Sequence, residues 1–409
     1  MPIERTDTLV IGGGQAGLAM SYRLKQRGLA HLVLERHRIA ERWRSERWDG
    51  LRFQFPNWSV RLPDFPFPHR DPDGFAASRE IVDYIDAYAA FVAPPIRCGV
   101  EVTRLCRRDD GTGFVAETAD GAIEARHVVV ATGPYQRPLR PDLLRDQDIF
   151  QVHASRYRNP EQLPPGAVLV VGAGASGAQI AEELMHAGRR VYLSVGRHTR
   201  LPRRYRGRDL IWWLRETKID QTTVENRGPS RLLPVISGAY GGQTVDFRRF
   251  AAAGITLLGR IASAGHGVIE IAPDLGESLA HGDAVYATFT DMVDNYVQRH
   301  ALDVPQDPEA HARLPDPPDI TEPLRRLDLK ANGIHSVIAA TGYGVDFGWI
   351  DIPVLDARGE PVHHRGITGV SGLYFLGLQW LSRMSSSFLS GVGDDAAVLA
   401  DHIVTHRSG

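Results

Sequence analysis

Two short runs in the chain concentrate the residues that hold phosphate without using a side chain. Gly12-Gly13-Gly14-Gln15-Ala16-Gly17 and Gly172-Ala173-Gly174-Ala175-Ser176-Gly177 share the spacing G-x-G-x-x-G. A pyrophosphate needs backbone N–H donors at close range, and a helix N-terminus offers them together with a favourable dipole. Glycine suits the three fixed positions because a Cβ would block, in turn, the tight bend, the approach of the phosphates and the packing of helix on strand. Gly12, Gly14 and Gly17 can fill these roles, as can Gly172, Gly174 and Gly177, with Gln15, Ala16, Ala175 and Ser176 opening the helices that follow. One such run is as often an ordinary turn. Two, each set between an apolar strand and a helix, predict two dinucleotide sites.

The two units differ where their second strand ends. Glu35 lies 18 residues after Gly17, close to the spacing of about 20 at which a carboxylate accepts from the ribose hydroxyls of an adenosine. The first site is therefore expected to reject a 2′-phosphate. The second unit has no acid at that place, only Ser194-Val195-Gly196-Arg197-His198-Thr199-Arg200. Guanidinium groups grip phosphate through paired, charge-assisted hydrogen bonds, so Arg197, with Arg200 as second candidate, predicts NADPH over NADH. Arg203, Arg204, Arg206 and Arg208 crowd the same segment, which leaves open that Arg197 and Arg200 are solvated surface charges.

Each glycine run must be positioned by a strand–turn–helix–strand unit. The first reads Leu9-Val10-Ile11, the glycine turn, a helical pattern to Gly28 and the strand His31 to Glu35; the second reads Val168 to Val171, its turn, a helix to Gly188 and the strand Arg190 to Val195. Glu80 to Phe91 has helical periodicity, while Val100 to Leu105, Gly113 to Thr118 and His127 to Ala131 read as strands. Asp209 to His300 is largely irregular, with an amphipathic helix around Tyr286 to Val297. The proline- and acid-rich run Pro305 to Pro323 suits an extended surface connection. Beyond it the strand Ile334 to Ala340 enters Thr341-Gly342, echoing Val128 to Ala131 before Thr132-Gly133, and Leu373 to Leu376 leads to a last helix from about Asp394 to Thr405. The two Ala-Thr-Gly turns bracket the second unit, so that unit is expected to be inserted into a discontinuous first domain. The expectation is an α/β fold with two Rossmann-type domains, residues 1–158 with 336–409 and residues 159–335.

Composition narrows the class. At 409 residues two cores are expected, and 43% hydrophobic and 23% charged residues with a net charge of -2 show no pull toward nucleic acid or acidic lipid. Cys98 and Cys106 lack the C-x-x-C spacing of a dithiol or zinc ribbon. No metal site is expected. The N-terminus shows no signal-peptide pattern, and no run nears the roughly 20 apolar residues that span a bilayer, so a cytoplasmic location is the default.

These paired motifs resemble the class B flavin-dependent monooxygenases, and more specifically their bacterial branch labelled as flavoproteins involved in potassium transport. The likeness runs through Trp43-Arg44, Arg47-Trp48-Asp49, Leu62-Pro63-Asp64-Phe65-Pro66-Phe67-Pro68, both Ala-Thr-Gly turns and Gly391-Val392-Gly393-Asp394-Asp395. It implies FAD at the first site and NADPH at the second. Arg36, Trp43, Arg44, Thr132, Gly133, Thr341, Gly342, Gly377 and Asp394 are the further cofactor-contacting residues it implies. Phe375-Leu376-Gly377 is followed by Leu378 where the family often has aspartate, while the last helix would aim its N-terminus at the flavin. Phe150 to Tyr157 is similar to the family's linker with a histidine, here His153; the upstream glycine is absent and Tyr157 stands where Baeyer–Villiger enzymes have tryptophan. Ketone insertion is thus less expected than heteroatom or aromatic oxygenation, and His153 is either catalytic or a tie for the linker.

The activity the resemblance implies is that of an NADPH- and FAD-dependent monooxygenase: hydride passes to flavin, dioxygen adds at C4a, and the (hydro)peroxide gives one oxygen atom to a small organic substrate. Gln54 falls where the family places an asparagine beside the flavin, with Asn57 as competitor; otherwise Gln54 alternates with Phe53 and Phe55 and faces solvent. Trp212, Trp213, Trp380, Phe388 and Tyr240 could face an apolar substrate or be core. The partners expected are that substrate and dioxygen, with a homodimer left open. The rivals are a flavin reductase or oxidase that oxygenates nothing and a redox-sensing nucleotide binder without turnover.

Overall fold

Thr8 to Ile11 has Leu9 and Val10 wholly buried, each side chain worth about 1.5–3 kcal/mol of burial, and it ends strand β1 (Ile3–Ile11). The computed structural model describes residues 3–141, 149–228 and 233–406. From β1 the chain passes through helix α1 (Gln15–Gln26), strand β2 (His31–Glu35), and helices α2 (Glu41–Ser45) and α3 (Ser78–Val92). Strands β3 (Ile96–Cys98), β4 (Val102–Arg107), β5 (Phe114–Thr118) and β6 (Gly121–Val130) follow. The buried side of α1 is rich in Ala16, Gly17 and Ala19, small enough for the helix to lie close on the sheet.

The second unit contains β7 (Phe150–His153), β8 (Ala167–Val171), α4 (Ala175–His186), β9 (Val191–Ser194), α5 (Leu210–Glu216), α6 (Phe247–Ala252), β10 (Thr256–Leu258), α7 (Leu275–His300) and β11 (Ile334–Ala339). The chain then returns to the first unit with β12 (Leu373–Phe375) and α8 (Val392–Thr405).

In the first sheet β3, β2, β1 and β6 lie side by side in parallel. Strand β6 serves twice. Gly121 to Ala125 pairs antiparallel with β5, whereas Val128 to Val130 pairs in parallel with β12. The second sheet has the order β7-β11-β8-β9-β10 with all pairs parallel, and its central strand β8 is buried along its whole length, as a sheet covered on both faces requires. This is a mixed α/β fold with two Rossmann-type units, and strands of the first sheet precede and follow the second unit in sequence.

The sheets redraw the expected boundaries. β7 and β11 both belong to the second sheet, whereas a division at 158/159 and 335/336 leaves β7 in the first domain and cuts β11. An apolar run announces a buried strand without naming the sheet it joins. Residues 1–2, 142–148, 229–232 and 407–409 of the expected ranges lie outside the described residues.

The helix expected around Tyr286 to Val297 begins much earlier, at Leu275. Gly276 and Gly282 obscure its pattern, yet Gly282 has a packing reason: a Cβ there would stand 2.5 Å from Nε2 of His198. The proline-rich run is pinned to the surface, with Asp316 on Arg248 at 2.8 Å and Asp319 accepting from the Leu257 N–H at 3.0 Å. Among the described residues no helix is long and apolar enough to cross a membrane, and no group of three or more His, Cys, Asp or Glu could hold a metal ion.

Candidate functional site

The two glycine turns have nearly superimposable constraints. Gly12 has φ +118°, and a Cβ on it would meet the Ala131 carbonyl oxygen at 2.5 Å; on Gly17 a Cβ would stand 1.8 Å from the Gly12 oxygen. Gly172 has φ +99° and faces the Ala340 oxygen at 2.6 Å, while Gly177 faces the Gly172 oxygen at 1.8 Å. Each turn is thus wedged under one Ala-Thr-Gly turn, at the end of β6 or β11. The middle glycines differ from these: Gly14 and Gly174 have nothing within 4 Å of a built Cβ. That open face is the space a phosphate would take and a side chain would fill. Both turns open onto one cavity of about 1140 Å³, lined by Gly12, Gly14, Gln15 and Ala16 from one unit and Gly174, Ala175 and Ser176 from the other.

In the first cradle Glu35 at the end of β2 accepts from the Gly13 N–H at 2.7 Å and the His37 N–H at 2.8 Å, which holds its carboxylate at the cavity wall. Gln15 donates through Nε2 to the Ser387 carbonyl at 2.8 Å, joining the start of α1 to the loop before α8. Gly377 lies against Ala16, leaving 2.6 Å for a Cβ. Thr132, Gly133, Arg36 and Trp43 also line the cavity. Gln136 fixes the first Ala-Thr-Gly turn by donating to Thr132 Oγ1 at 2.9 Å and to the Gly133 carbonyl at 2.7 Å. Arg44 turns away: it pairs with Asp86 of α3 and donates to the Ile39 carbonyl. Neighbours on a helix point about 100° apart, so with Trp43 on the cavity Arg44 faces α3.

The second cradle separates the two candidate arginines. Arg200 is held by Asp246 at 2.5 Å and Asp283 at 2.8 Å and lies 4.5 Å from the Tyr286 ring. With its side chain only 12% exposed it is committed to an internal ion-pair network and not to a phosphate. Arg197 follows β9 with its side chain 66% exposed, its nearest carboxylate being Glu277 at 3.7 Å. It does not line the cavity. Ser194 is spent on the Gly259 carbonyl at 3.0 Å.

Between the cradles, Gln54 lines the cavity, half-buried between Phe53 and Phe55. Asn57 does not. It opens a short 3-10 turn and donates to the Asp71 carbonyl at 2.9 Å. His153 lines the cavity and is 1% exposed as a residue. Its Nδ1 accepts from the Ser155 N–H at 3.1 Å, which leaves the proton on Nε2 for donation to the Gly342 carbonyl at 3.2 Å. Burial lowers its pKa, so the ring is a neutral tie between β7 and the second Ala-Thr-Gly turn. Thr341 in that turn points outward and donates to the Leu139 carbonyl, and Gly342 lines the cavity. Tyr157 is wholly buried and donates to Glu183 of α4 at 2.8 Å.

Asp394 stands at the start of α8 but is 58% exposed and paired with Arg383 at 2.9 Å. Its neighbour Asp395 takes the buried place, accepting from Ser382 Oγ at 2.5 Å, and burial raises its pKa. Of the aromatic candidates, Phe388 lines the cavity 4.9 Å from Phe55; Trp213 is core, and Tyr240 is exposed on His186.

Three further cavity residues were assigned no role from the sequence. Tyr135 and Tyr343 meet edge to face at 5.3 Å, and Arg47 lies between the rings of Trp43 and Tyr135 at 5.0 and 6.0 Å. A signal was present: each Ala-Thr-Gly turn is followed closely by a tyrosine. Cys98 is exposed, Cys106 is half-buried, and neither lines the cavity. Burial pushes both thiols up, so the site offers no thiolate for disulfide exchange.

The family described as pyridine nucleotide-disulphide oxidoreductase matches residues 9–217. An uncharacterized CzcO-like oxidoreductase of Geobacillus kaustophilus (strain HTA426) is 37% identical over 406 residues, which is 98% of this chain and 99% of that protein. Among solved structures, a flavin-containing monooxygenase from Stenotrophomonas maltophilia shares the fold with a TM-score of 0.66 at 19% identity, covering 99% of this chain and 100% of that one. The OTEMO complex with FAD and NADP has a TM-score of 0.57 at 17% identity, covering 98% and 86%.

Proposed function

The chain belongs to the pyridine nucleotide-disulphide oxidoreductase family, and from that premise we propose that this flavin-dependent oxidoreductase is an FAD- and NADPH-dependent monooxygenase acting on a small organic molecule. One observation carries the reading: a single cavity is lined by both open glycine turns, so two dinucleotides can meet inside it. Bound there, a flavin and a nicotinamide would supply the hydride transfer and the activation of dioxygen.

The chain's own groups do the rest. Gly14 and the N-terminus of α1 would take the FAD pyrophosphate, with Glu35 accepting from the adenosine ribose. Gly174, Ala175 and Ser176 would take that of NADPH, and Arg197 its 2′-phosphate. Phe53, Phe55, Phe388 and Trp43 give the wall an apolar lining that excludes water, and Gln54 is the amide on that wall. His153, with both ring nitrogens committed, holds the second Ala-Thr-Gly turn in place and moves no proton. The absence of any cysteine at the cavity favours oxygenation or simple reduction over the disulfide chemistry in the family's description.

The test is NADPH oxidation by the yellow protein under ¹⁸O₂, with mass analysis of products from a panel of thioethers, amines, ketones and indoles. One ¹⁸O atom in a product is expected. NADPH oxidation with all oxygen released as hydrogen peroxide across the panel would make the protein an oxidase instead.

A further inference from the structure

We propose that Arg203 is a positioning residue that holds the Gln54 stretch of the cavity wall from the second unit. This rests on the reading that the cavity is the reaction chamber. Arg203 does not line the cavity; it acts through the residue that does.

The geometry is tight at both ends. The Arg203 residue is 1% exposed. Its Nε and Nη2 donate to Asp209 Oδ2 at 2.9 and 2.7 Å, and Nη1 donates to the Gln54 carbonyl at 2.7 Å. The Phe75 ring lies 4.5 Å from the guanidinium. Asp209 is itself fixed, its other oxygen accepting from the Ile211 N–H at 2.8 Å at the start of α5. The backbone of Arg203 is held by Thr244 Oγ1 at 2.9 Å and by the Leu210 N–H at 2.8 Å.

The wall side is equally constrained. The Phe53 carbonyl oxygen occupies the place of a side chain on Gly238, 2.0 Å from a built Cβ, and the Phe75 ring does the same at Gly242, 2.4 Å away. Two successive wall carbonyls, those of Phe53 and Gln54, therefore rest on the second unit, one by shape and one by a charged donor. A buried guanidinium gains little net stability over an apolar contact of equal volume. What it does supply is registry: three donors in a fixed fork set the carbonyl direction of Gln54 relative to Asp209, which a lysine cannot reproduce. The direction of that peptide sets where Gln54 stands in the wall facing the two cradles.

The experiment compares the FAD-loaded wild type with Arg203→Lys, Gln54→Ala and the double variant. Amide exchange across Phe53 to Phe55 is expected to rise about tenfold in Arg203→Lys, the loss of one charge-assisted hydrogen bond, with no change in the dissociation constant for NADPH. Hydrogen peroxide released per NADPH consumed should rise in Arg203→Lys and in Gln54→Ala, and the double variant should match Gln54→Ala. If Arg203→Lys does not fold, Asp209→Asn, which loosens the same fork, takes its place. Rises that multiply in the double variant, or exchange that stays at the wild-type level, overturn the positioning role. A protein that holds no flavin or oxidises no NADPH would overturn the reading of the cavity, while the exchange measurement on the same protein still decides whether Arg203 holds the wall.

Discussion

The two cradles are the same device in backbone and different devices in side chain. Gly12 and Gly17 repeat in Gly172 and Gly177 to within a tenth of an ångström in what they exclude, 2.5 against 2.6 Å and 1.8 against 1.8 Å. At the next strand end they diverge. Glu35 presents a carboxylate fastened by two backbone N–H groups, whereas the second unit offers an exposed Arg197 and a spent Ser194. On the proposed reading, the turn makes each site a dinucleotide site, and the strand end chooses which dinucleotide.

The strongest way to break this comparison is to fill one turn at a time. Gly17→Ala places a methyl 1.8 Å from a carbonyl oxygen, at the severe end of overpacking, costing about 3 kcal/mol or more. It should yield colourless protein. Gly177→Ala makes the same clash in the other unit and should leave the flavin bound, as seen in the visible spectrum. Flavin loss from both variants to the same extent would show that the turns do not divide the work.

The next contrast lies within the second unit. Arg200→Ala would take the guanidinium from Asp246, which is 10% exposed, and one of three arginines from Asp283, which keeps Arg248 and Arg313, and breaking a buried pair of this kind costs about 3 kcal/mol. Chemical denaturation should report that loss, with NADPH and NADH affected alike. Arg197→Ala should leave stability nearly unchanged and raise the KM for NADPH about tenfold, that for NADH hardly at all. Equal effects on the two cofactors would reassign Arg197 to the surface.

These two arginines also show where the sequence stops being legible. The glycine turns, the strands around them and the two-unit architecture could be read because local backbone rules dictate them. Arg200 is separated from its partners by 46 and 83 residues, so nothing near it announces that it is taken. Gln54 and Asn57, three positions apart, look alike as amides; only the turn at Asn57 sends its side chain to the Asp71 carbonyl. The same holds for β7 and β11, whose apolar runs are plain and whose sheet is set by pairing. Asp394 is exposed and Asp395 buried because of helix phase, which is invisible without the helix start at Val392.

A smaller effect concerns the tie between the units. Burial lowers the pKa of His153, so the unfolded chain takes up its proton first as pH falls through about 6.5. Stability from this group is complete above that pH and falls below it, by at most about 1.4 kcal/mol per pH unit. Burial lowers His31, His198 and His363 as well, so the whole protein should be steeper. His153→Gln, which keeps an acceptor and a donor but does not titrate, should remove one group's share of that slope below about pH 6.5. An unaltered slope in denaturation midpoints would mean that His153 takes up its proton in the folded protein as readily as in the unfolded chain.

The central claim is that two cradles deliver two dinucleotides into one chamber, and anaerobic reduction of the bound flavin by NADPH tests it most directly. Wild-type protein should lose its yellow colour on mixing with NADPH, while Gly177→Ala, still yellow, should bleach far more slowly at the same concentration. Bleaching of Gly177→Ala at the wild-type rate would contradict the account, because the nicotinamide would then be reaching the flavin without the second cradle.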